Sequence, residues 1–569
     1  MRSVPWILAT LMRTGAPMPS GPARPARDST IPNPQVATTI RRMTHALRTL
    51  PALLLATLLG CGGGGGGGTP TTPPIIVPVD GPAWWGFGRN AQHSANSAIE
   101  AQPLARIHWQ APLDLAPQHN NGALLIHYGS PVITTHNTVV MPVKTGATGG
   151  FRVEARIGQT GGLVWSMSSD YRLPQPAPSW TPSFNPTLTP AGRLYVPAAA
   201  GRVLVREEPD AATGATSTIA FYGALCDGAV VPCTDTVFIN TPLTSDSQGN
   251  VYFGFSAIAN APPALAGGGF ARIAPDGSAT FVRATVAAGN TAMIKPQVNG
   301  APALSADGQT LYVVVNSLPI GTPARAQGML LALDSTTLAP LATRPLLDPA
   351  SAAPAWVSDN ATSSPTVGPD GDVYIGVLEA AVSPHNFRGW LLHFDASLAT
   401  PKTPASFGWD ITASIVPREM VPQYTGSSGY LLAIKYNNYY NASNPASRDG
   451  RNEIAIVDPN GGTQADPVNG TTVVMREVLK QLGPTRDESA PAPAVKEWCI
   501  NTMAVDPATS SVLANSEDGV LYRWHLPSNT FSERIRLTAG LLEAYTPTAI
   551  GADGRVYAVN DATLFSVGR

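Results

Sequence analysis

Short apolar runs alternate with turns along most of the chain, and one run recurs together with its flanks. It reads Ser364-Pro365-Thr366-Val367-Gly368-Pro369-Asp370-Gly371-Asp372-Val373-Tyr374: a small residue and proline, a few strand residues, an Asp-Gly turn, then a β-branched residue and tyrosine. The phrase returns as Thr546-Pro547 to Asp553-Gly554-Arg555-Val556-Tyr557, as Ala301-Pro302 to Asp307-Gly308 and Leu311-Tyr312, and as Thr241-Pro242 to Gly249-Asn250-Val251-Tyr252. A looser copy runs from Asn185-Pro186 to Gly192-Arg193-Leu194-Tyr195. Apolar runs bounded by Gly, Pro, Asn and Asp predict strands. The Asp-Gly pairs predict tight hairpins, because such turns need residues that accept positive φ. Copies spaced by roughly 45–75 residues predict a β-propeller, whose blades cannot bury their faces alone.

Eight groups of four strands fit the pattern. The first comprises residues 131–134, 138–143, 151–157 and 162–166, and the innermost strands of the next four begin near Pro186, Pro242, Pro302 and Pro365. The sixth is degenerate, with strands expected at 416–424, 430–436, 452–457 and 472–478 around a long polar insert at 437–451. Its weakness leaves seven blades as the alternative count. The seventh covers 500–505, 511–514, 519–524 and 530–537, and the eighth has only three strands, at 547–551, 555–559 and 562–567. Arg106-Ile107-His108-Trp109-Gln110-Ala111 has the right alternation to supply the missing strand. Closure of this kind removes the last open sheet edge. The expectation is an all-β, eight-bladed propeller over residues 81–569, closed by an N-terminal strand and monomeric.

Composition fits many short strands: 13% of residues are charged, against 54 glycines and 55 prolines. The formal charge of −2 hides seven arginines and a single acid, Asp28, in residues 1–60; without that stretch 29 basic and 37 acidic residues remain. A mildly acidic body offers no footprint for a phosphate backbone, so nucleic acid is excluded as a partner.

The N-terminus reads as targeting sequence. A basic flank and the short apolar run ending Leu58-Leu59-Gly60-Cys61 describe a secretory signal, too short to span a bilayer. These last four residues resemble the lipobox of bacterial lipoproteins, which implies that Cys61 carries lipid. With Met43 as the start, residues 43–60 form the signal and 1–42 a misassigned extension; the glycine run and Thr-Pro stretch within 61–80 read as a tether. A residue other than aspartate after Cys61 resembles the sorting pattern for the outer membrane. In an exported protein the seven-residue spacing of Cys226 and Cys233 favours a local disulfide over two free thiols. Cys499 is left over as an inert thiol.

The segment Trp84-Trp85-Gly86-Phe87-Gly88-Arg89-Asn90-Ala91-Gln92-His93-Ser94, followed by Trp109, resembles the opening of pyrroloquinoline-quinone-like propeller-repeat proteins. So does Ala155-Arg156-Ile157-Gly158-Gln159-Thr160-Gly161-Gly162-Leu163-Val164-Trp165, with Ala332-Leu333-Asp334-Ser335-Thr336-Thr337 a weaker copy. The resemblance covers about residues 84–569 and implies fold more than activity. One branch of that family holds the quinone and a calcium ion and uses an aspartate base, with adjacent cysteines near the cofactor; this chain has no adjacent cysteines, and no ligand position carries over. The other branch is non-enzymatic and includes an outer-membrane lipoprotein that serves as a scaffold.

Polar residues before the innermost strands would face a shared central funnel. Asn185, Asn240, Asn299, Asn360 and Asn501 stand there, and local turn capping is the competing reading. Lys295, Arg418, Glu419, Lys496 and Glu497, with Trp498 beside them, could form a polar pocket with an aromatic wall. Salt bridges between blades explain the charges equally well. Asp370 and Asp372 read as turn residues, lacking the further carboxylates of a calcium loop. The nine histidines show no metal spacing and no recognisable triad. The leading expectation is a lipid-anchored, non-catalytic binding or scaffold protein of the cell envelope without cofactor, with a protein partner or a small polar ligand. A divergent quinone-dependent dehydrogenase, requiring quinone and calcium, is the first alternative; carbohydrate or peptide recognition in the funnel is the second.

Overall fold

The structure, a computed structural model, describes residues 77–120, 123–124, 128–173, 184–321, 325–359, 363–540 and 544–569. The expected signal, Cys61 and most of the tether lie outside the described residues. Strands dominate, and among the described residues they form eight antiparallel sheets that are the blades of a propeller, with a small two-stranded sheet of His119–Asn120 and Ala123–Leu124 beside them. Blade 1 runs outward through Val132–Ile133, Thr138–Lys144, Phe151–Ile157 and Leu163–Ser169. Blade 8 has Ala549–Ile550, Val556–Asn560 and Thr563–Gly568, with Arg106–Pro112 as its outer strand. That N-terminal strand pairs from Arg106 with Gly568 to Pro112 with Thr563, so the expected closure is present and the count is eight.

The recurrent phrase has a physical reason at each position. Its proline lies just before the innermost strand, and in blades 2, 4 and 5 the residue two beyond it, Leu188, Leu304 or Val367, points its N–H toward the ring centre, as the hydrogen bonds below show. N–H groups two residues apart leave a strand on the same side, so a proline there removes no bond from the ladder. The small residue before the proline links neighbouring blades: Ser364 Oγ accepts from Ala301 N at 2.9 Å, Thr412 Oγ1 accepts from Ser364 N at 3.0 Å, and Thr546 Oγ1 donates to Tyr128 O at 2.8 Å. The glycine of each Asp-Gly turn takes positive φ: 73° at Gly308, 89° at Gly371 and 83° at Gly554. The tyrosine reaches the next blade, Tyr312 to Ala396 O, Tyr374 to the Tyr430 hydroxyl and Tyr557 to Gly158 O.

The segment 84–97 explains what closes the ring centre. It passes from blade to blade, offering a carbonyl to the inward N–H of each innermost strand it meets. Trp84 accepts from Ile133 (2.9 Å), Trp85 from Leu188 (2.8 Å), Ala91 from Leu304 (2.8 Å), Gln92 from Val367 (3.0 Å), Ser94 from Ile415 (3.0 Å) and Ala95 from Val505 (2.9 Å). These are blades 1, 2, 4, 5, 6 and 7. His93 is buried among them, and its Nδ1 lies 2.7 Å from Pro365 O. The inner edges, which would otherwise be unpaired, are thus partly satisfied by the chain itself. Hydrophobic clusters then fill the seams between blades, for instance Trp498, Trp524, Val505 and Ile456 between blades 6 and 7.

Two expectations need correction. The innermost strand of blade 6 is Ser414–Pro417, not 416–424, and Arg418–Met420 forms a short 3-10 helix after it. The third and outer strands of that blade, Glu453–Ala465 and Val473–Leu482, are longer than expected. Their register breaks between Asp458 and Thr463, and the far part lies against the outer strand of blade 5, Pro401–Ala405. In blades 3 and 4 the innermost strand is split, Val237–Ile239 with Thr244–Ser245 and Lys295–Pro296 with Ala303–Leu304.

Candidate functional site

Antiparallel blades put two kinds of connection on each side of the ring. One side, the funnel face, collects the chain's passages into each innermost strand and the loops between second and third strands. The other, the turn face, collects the Asp-Gly hairpins and the turns before the outer strands. The residues singled out in the sequence divide between these faces and the core.

Asn240 is buried and donates from Nδ2 to Pro296 O at 3.1 Å, while its carbonyl accepts from Asn299 N at 2.8 Å. Asn185 accepts through its carbonyl from Leu243 N, and Asn501 likewise from Thr412 N, each at 3.3 Å. These asparagines therefore tie blade to blade around the funnel, a wider role than capping their own turns. Asn360 lies outside the described residues. Lys295 holds Asp359, at the approach to blade 5, at 2.6 Å and Asn316 at 3.0 Å, and Lys496 holds Asp487 at 3.0 Å. Arg418 and Glu419 are exposed on the turn face, because by Pro417 the chain has already crossed the ring. Trp498 packs against Tyr522 and Phe531 in the seam between blades and provides no aromatic wall to the funnel. Cys226 and Cys233 are joined by a disulfide in the funnel-face loop between blades 2 and 3.

What the funnel does gather is a set of groups far apart in sequence. Glu517 accepts from Glu497 N at 3.1 Å and from the Cys499 thiol at 3.0 Å. Burial and the neighbouring Glu517 push the Glu497 carboxyl up to about 8, and burial likewise raises Glu517 and the Cys499 thiol. Lys435, fully buried, lies 3.8 Å from Asp410 and 4.9 Å from the Tyr545 ring centre. Asn437 brackets the Trp498 backbone, accepting its N–H at 3.1 Å and donating to its carbonyl at 3.3 Å. Glu379, Asp410, Lys435, Glu517 and Tyr545 were not legible as site residues. Their only common signal is position, at the funnel end of a strand or loop in the repeat.

His385, Ser406 and Asp466 also meet, all buried: Asp466 Oδ1 lies 3.3 Å from His385 Nε2 and accepts the Ser406 hydroxyl. Carboxylate and hydroxyl thus crowd one imidazole nitrogen, whereas a nucleophilic triad places them on opposite ones. The trio fastens the long hairpin of blade 6 to blade 5.

Glu379 is fully buried, accepts from Phe387 N at 2.6 Å and Gly389 N at 2.7 Å, and has its carboxyl raised by burial to about 7. A raised carboxyl stabilises the fold fully below its unfolded value near 4.5 and loses that contribution as pH rises through 7. Burial lowers His93 to about 4 and lowers His385, so their contributions fall away in the opposite sense, as pH drops below 6.5. Glu379 alone is expected to lower stability by roughly 1.4 kcal/mol between pH 6 and pH 8.5. Glu379→Gln should flatten the alkaline limb in calorimetric scans; an unchanged limb would contradict the assignment.

Calcium takes six to eight oxygen ligands, carboxylates prominent among them. Among the described residues no group of three or more His, Cys, Asp and Glu is arranged to hold a metal. Asp410 is paired to Lys435, and Glu517 is committed to a backbone N–H and a thiol. Among the described residues these two carboxylates are therefore engaged with protein groups.

No protein-family model matches the sequence, and no curated protein matches it. Solved structures do match in fold. A europium-containing methanol dehydrogenase is 10% identical, with 84% of this chain and 89% of that chain covered at a TM-score of 0.49. The quinohemoprotein alcohol dehydrogenase from Comamonas testosteroni is 12% identical, covering 86% and 81% at 0.47, and BamB from Moraxella catarrhalis 11%, covering 84% and 97% at 0.31. The fold is established by the chain's own sheets: it is an eight-bladed β-propeller.

Proposed function

We propose that this chain is a lipid-anchored propeller of the bacterial cell envelope that works as a non-catalytic binding or scaffold protein through its funnel face. The observation that carries the reading is how the funnel face is built. Its charged groups are largely engaged with one another or with backbone, as Lys295 with Asp359, Lys496 with Asp487 and Lys435 with Asp410. Over blades 3 and 4 the same face is apolar and exposed, with Leu318 at 61% and Ile320 at 53% of full exposure. Exposed apolar side chains on such a face suit contact with a protein partner. The resemblance of Leu58-Leu59-Gly60-Cys61 to a lipobox supports the anchor.

Fractionation of cells expressing the full chain tests the anchoring half of the reading. Wild-type protein is expected in the membrane pellet and released by detergent, and Cys61→Ser protein in the soluble fraction. A Cys61→Ser protein that still sediments with membranes, or wild type that does not, would overturn it.

A further inference from the structure

We infer that the funnel cleft over blades 6 to 8 holds a small zwitterion, a free amino acid, with its ammonium on the carboxylates of Glu497 and Glu517 and its carboxylate on Lys435. This deepens the binding reading above and rests on it. The first support is that these opposite charges are neighbours without being partners. Lys435 acts on Glu497 more strongly than any other cation. Yet its own nearest carboxylate oxygen belongs to Asp410 and stands 3.8 Å away, beyond hydrogen-bond reach. The Lys435 side chain is 1% exposed, so its three donors are largely cut off from bulk water.

Glu497 is the exception among the funnel's charged groups. Glu517 accepts from Glu497 N at 3.1 Å and from the Cys499 thiol at 3.0 Å, but no described residue donates to the Glu497 carboxylate. A charge wrapped by protein and left without hydrogen bonds is costly. The site therefore lacks an acceptor for Lys435 and a donor for Glu497. Glu497, Cys499 and Glu517 also keep part of their surface open to solvent, although burial dominates the shifts in their titration. Groups that meet water while protein surrounds them line a deep recess, and shifted titrating groups gathered in a recess mark a binding site. The Tyr545 ring, 4.9 Å from Lys435 Nζ, and Tyr439 both lie within electrostatic reach of Glu497 and add aromatic surface.

The charge balance sets the kind of guest. Lys435 is set against Asp410, and Lys496 is held by Asp487 at 3.0 Å. Among the described residues Glu497 and Glu517 are then left with no cation in contact. An ammonium supplies that cation together with three donors, and a carboxylate supplies the acceptor that Lys435 lacks. An amine alone leaves Lys435 without its acceptor, and an anion alone adds charge beside two carboxylates. Water or a neutral polyol fills the hydrogen bonds but leaves the acid pair uncompensated. A guest with both charges meets every demand.

Titration calorimetry of the full-length protein with each free amino acid in turn, beside ethylamine, acetate and glucose, tests this. At least one amino acid is expected to bind saturably at one per chain, and the three controls to give no heat. Glu497→Gln strands no donor and should keep the wild-type melting temperature, yet weaken that amino acid about tenfold or more. Lys435→Met should weaken it as well. Leu163→Asp, an exposed change on the rim, should leave the affinity unchanged. The charges that face Glu497 are Glu517, Lys435, Asp487 and Lys496, and together with burial they leave it protonated at neutral pH. Binding at pH 7 should therefore release about one proton, read from the heats in buffers of different ionisation enthalpy. No saturable heat from any amino acid, equal binding of ethylamine or glucose, or an affinity indifferent to Glu497→Gln would overturn the assignment. Those outcomes leave the non-catalytic reading standing, whereas quinone-dependent dye reduction by the wild-type protein sinks that reading itself.

Discussion

A chain beginning at residue 114, without the segment that circles the ring centre and without strand Arg106–Pro112, is expected to lose its cooperative unfolding transition. The segment supplies backbone acceptors to six blades, and the strand supplies the outer edge of blade 8. It also buries Trp84 and Trp109 almost completely. Removing one buried tryptophan costs about 3–5 kcal/mol, and total stability is only about 5–15 kcal/mol. The loss should therefore exceed what the remaining blades can hold. Calorimetry of the truncated chain should show no sharp transition, and adding a peptide of residues 81–112 should restore it. The same peptide with Trp84→Ala and Trp109→Ala should fail. A truncated chain that melts like the full one would mean that the ring closes without this segment.

Lys144→Met is expected to cost about 3–5 kcal/mol, the largest effect of any single charge removal in the ring. Lys144 and Asp114 are both buried, with Nζ at 2.9 and 2.8 Å from the two carboxylate oxygens, and Tyr128 donates to Asp114 at 2.7 Å. Asp114 stands just after the closing strand and Lys144 at the end of the second strand of blade 1, so the pair locks the seam between the last blade and the first. Methionine keeps most of the volume but leaves a buried carboxylate without its cation. The double variant Lys144→Met with Asp114→Asn should recover part of the loss, because the stranded charge is then gone. Chemical denaturation checks both. A cost below about 1 kcal/mol for the single variant would place the pair among contacts that behave as if solvated.

The repeat phrase was legible because each of its residues answers a local demand. Proline suits an inward edge, glycine suits a positive φ, and the tyrosine and the small polar residue sit where the next blade is within reach. Blade 6 was misplaced for the converse reason. Ala413 stands where most blades have proline, and residues 418–429 replace the two-residue turn, so nothing local marked where its innermost strand stops. The ring-centre segment carried no strand period, since it pairs with a different blade every few residues; only resemblance pointed to it.

The funnel was harder still. In an extended stretch alternate side chains face opposite ways. Lys496, Glu497 and Trp498 looked like one cluster in sequence, yet Glu497 and Cys499 turn to Glu517 while Trp498 enters the core. The partners that complete the funnel, Asp410, Lys435 and Tyr545, come from blades whose separation in sequence hides them. Asn185, Asn240 and Asn501 bond to the neighbouring blade, a role that their own turns do not signal.

Calorimetric titration of pyrroloquinoline quinone with calcium into the full-length protein, run beside a dye-linked oxidation assay, tests the central claim that this propeller binds without catalysing. The account predicts no saturable heat and no dye reduction above the protein-free control. Saturable binding at one quinone per chain, accompanied by calcium-dependent dye reduction, would contradict it.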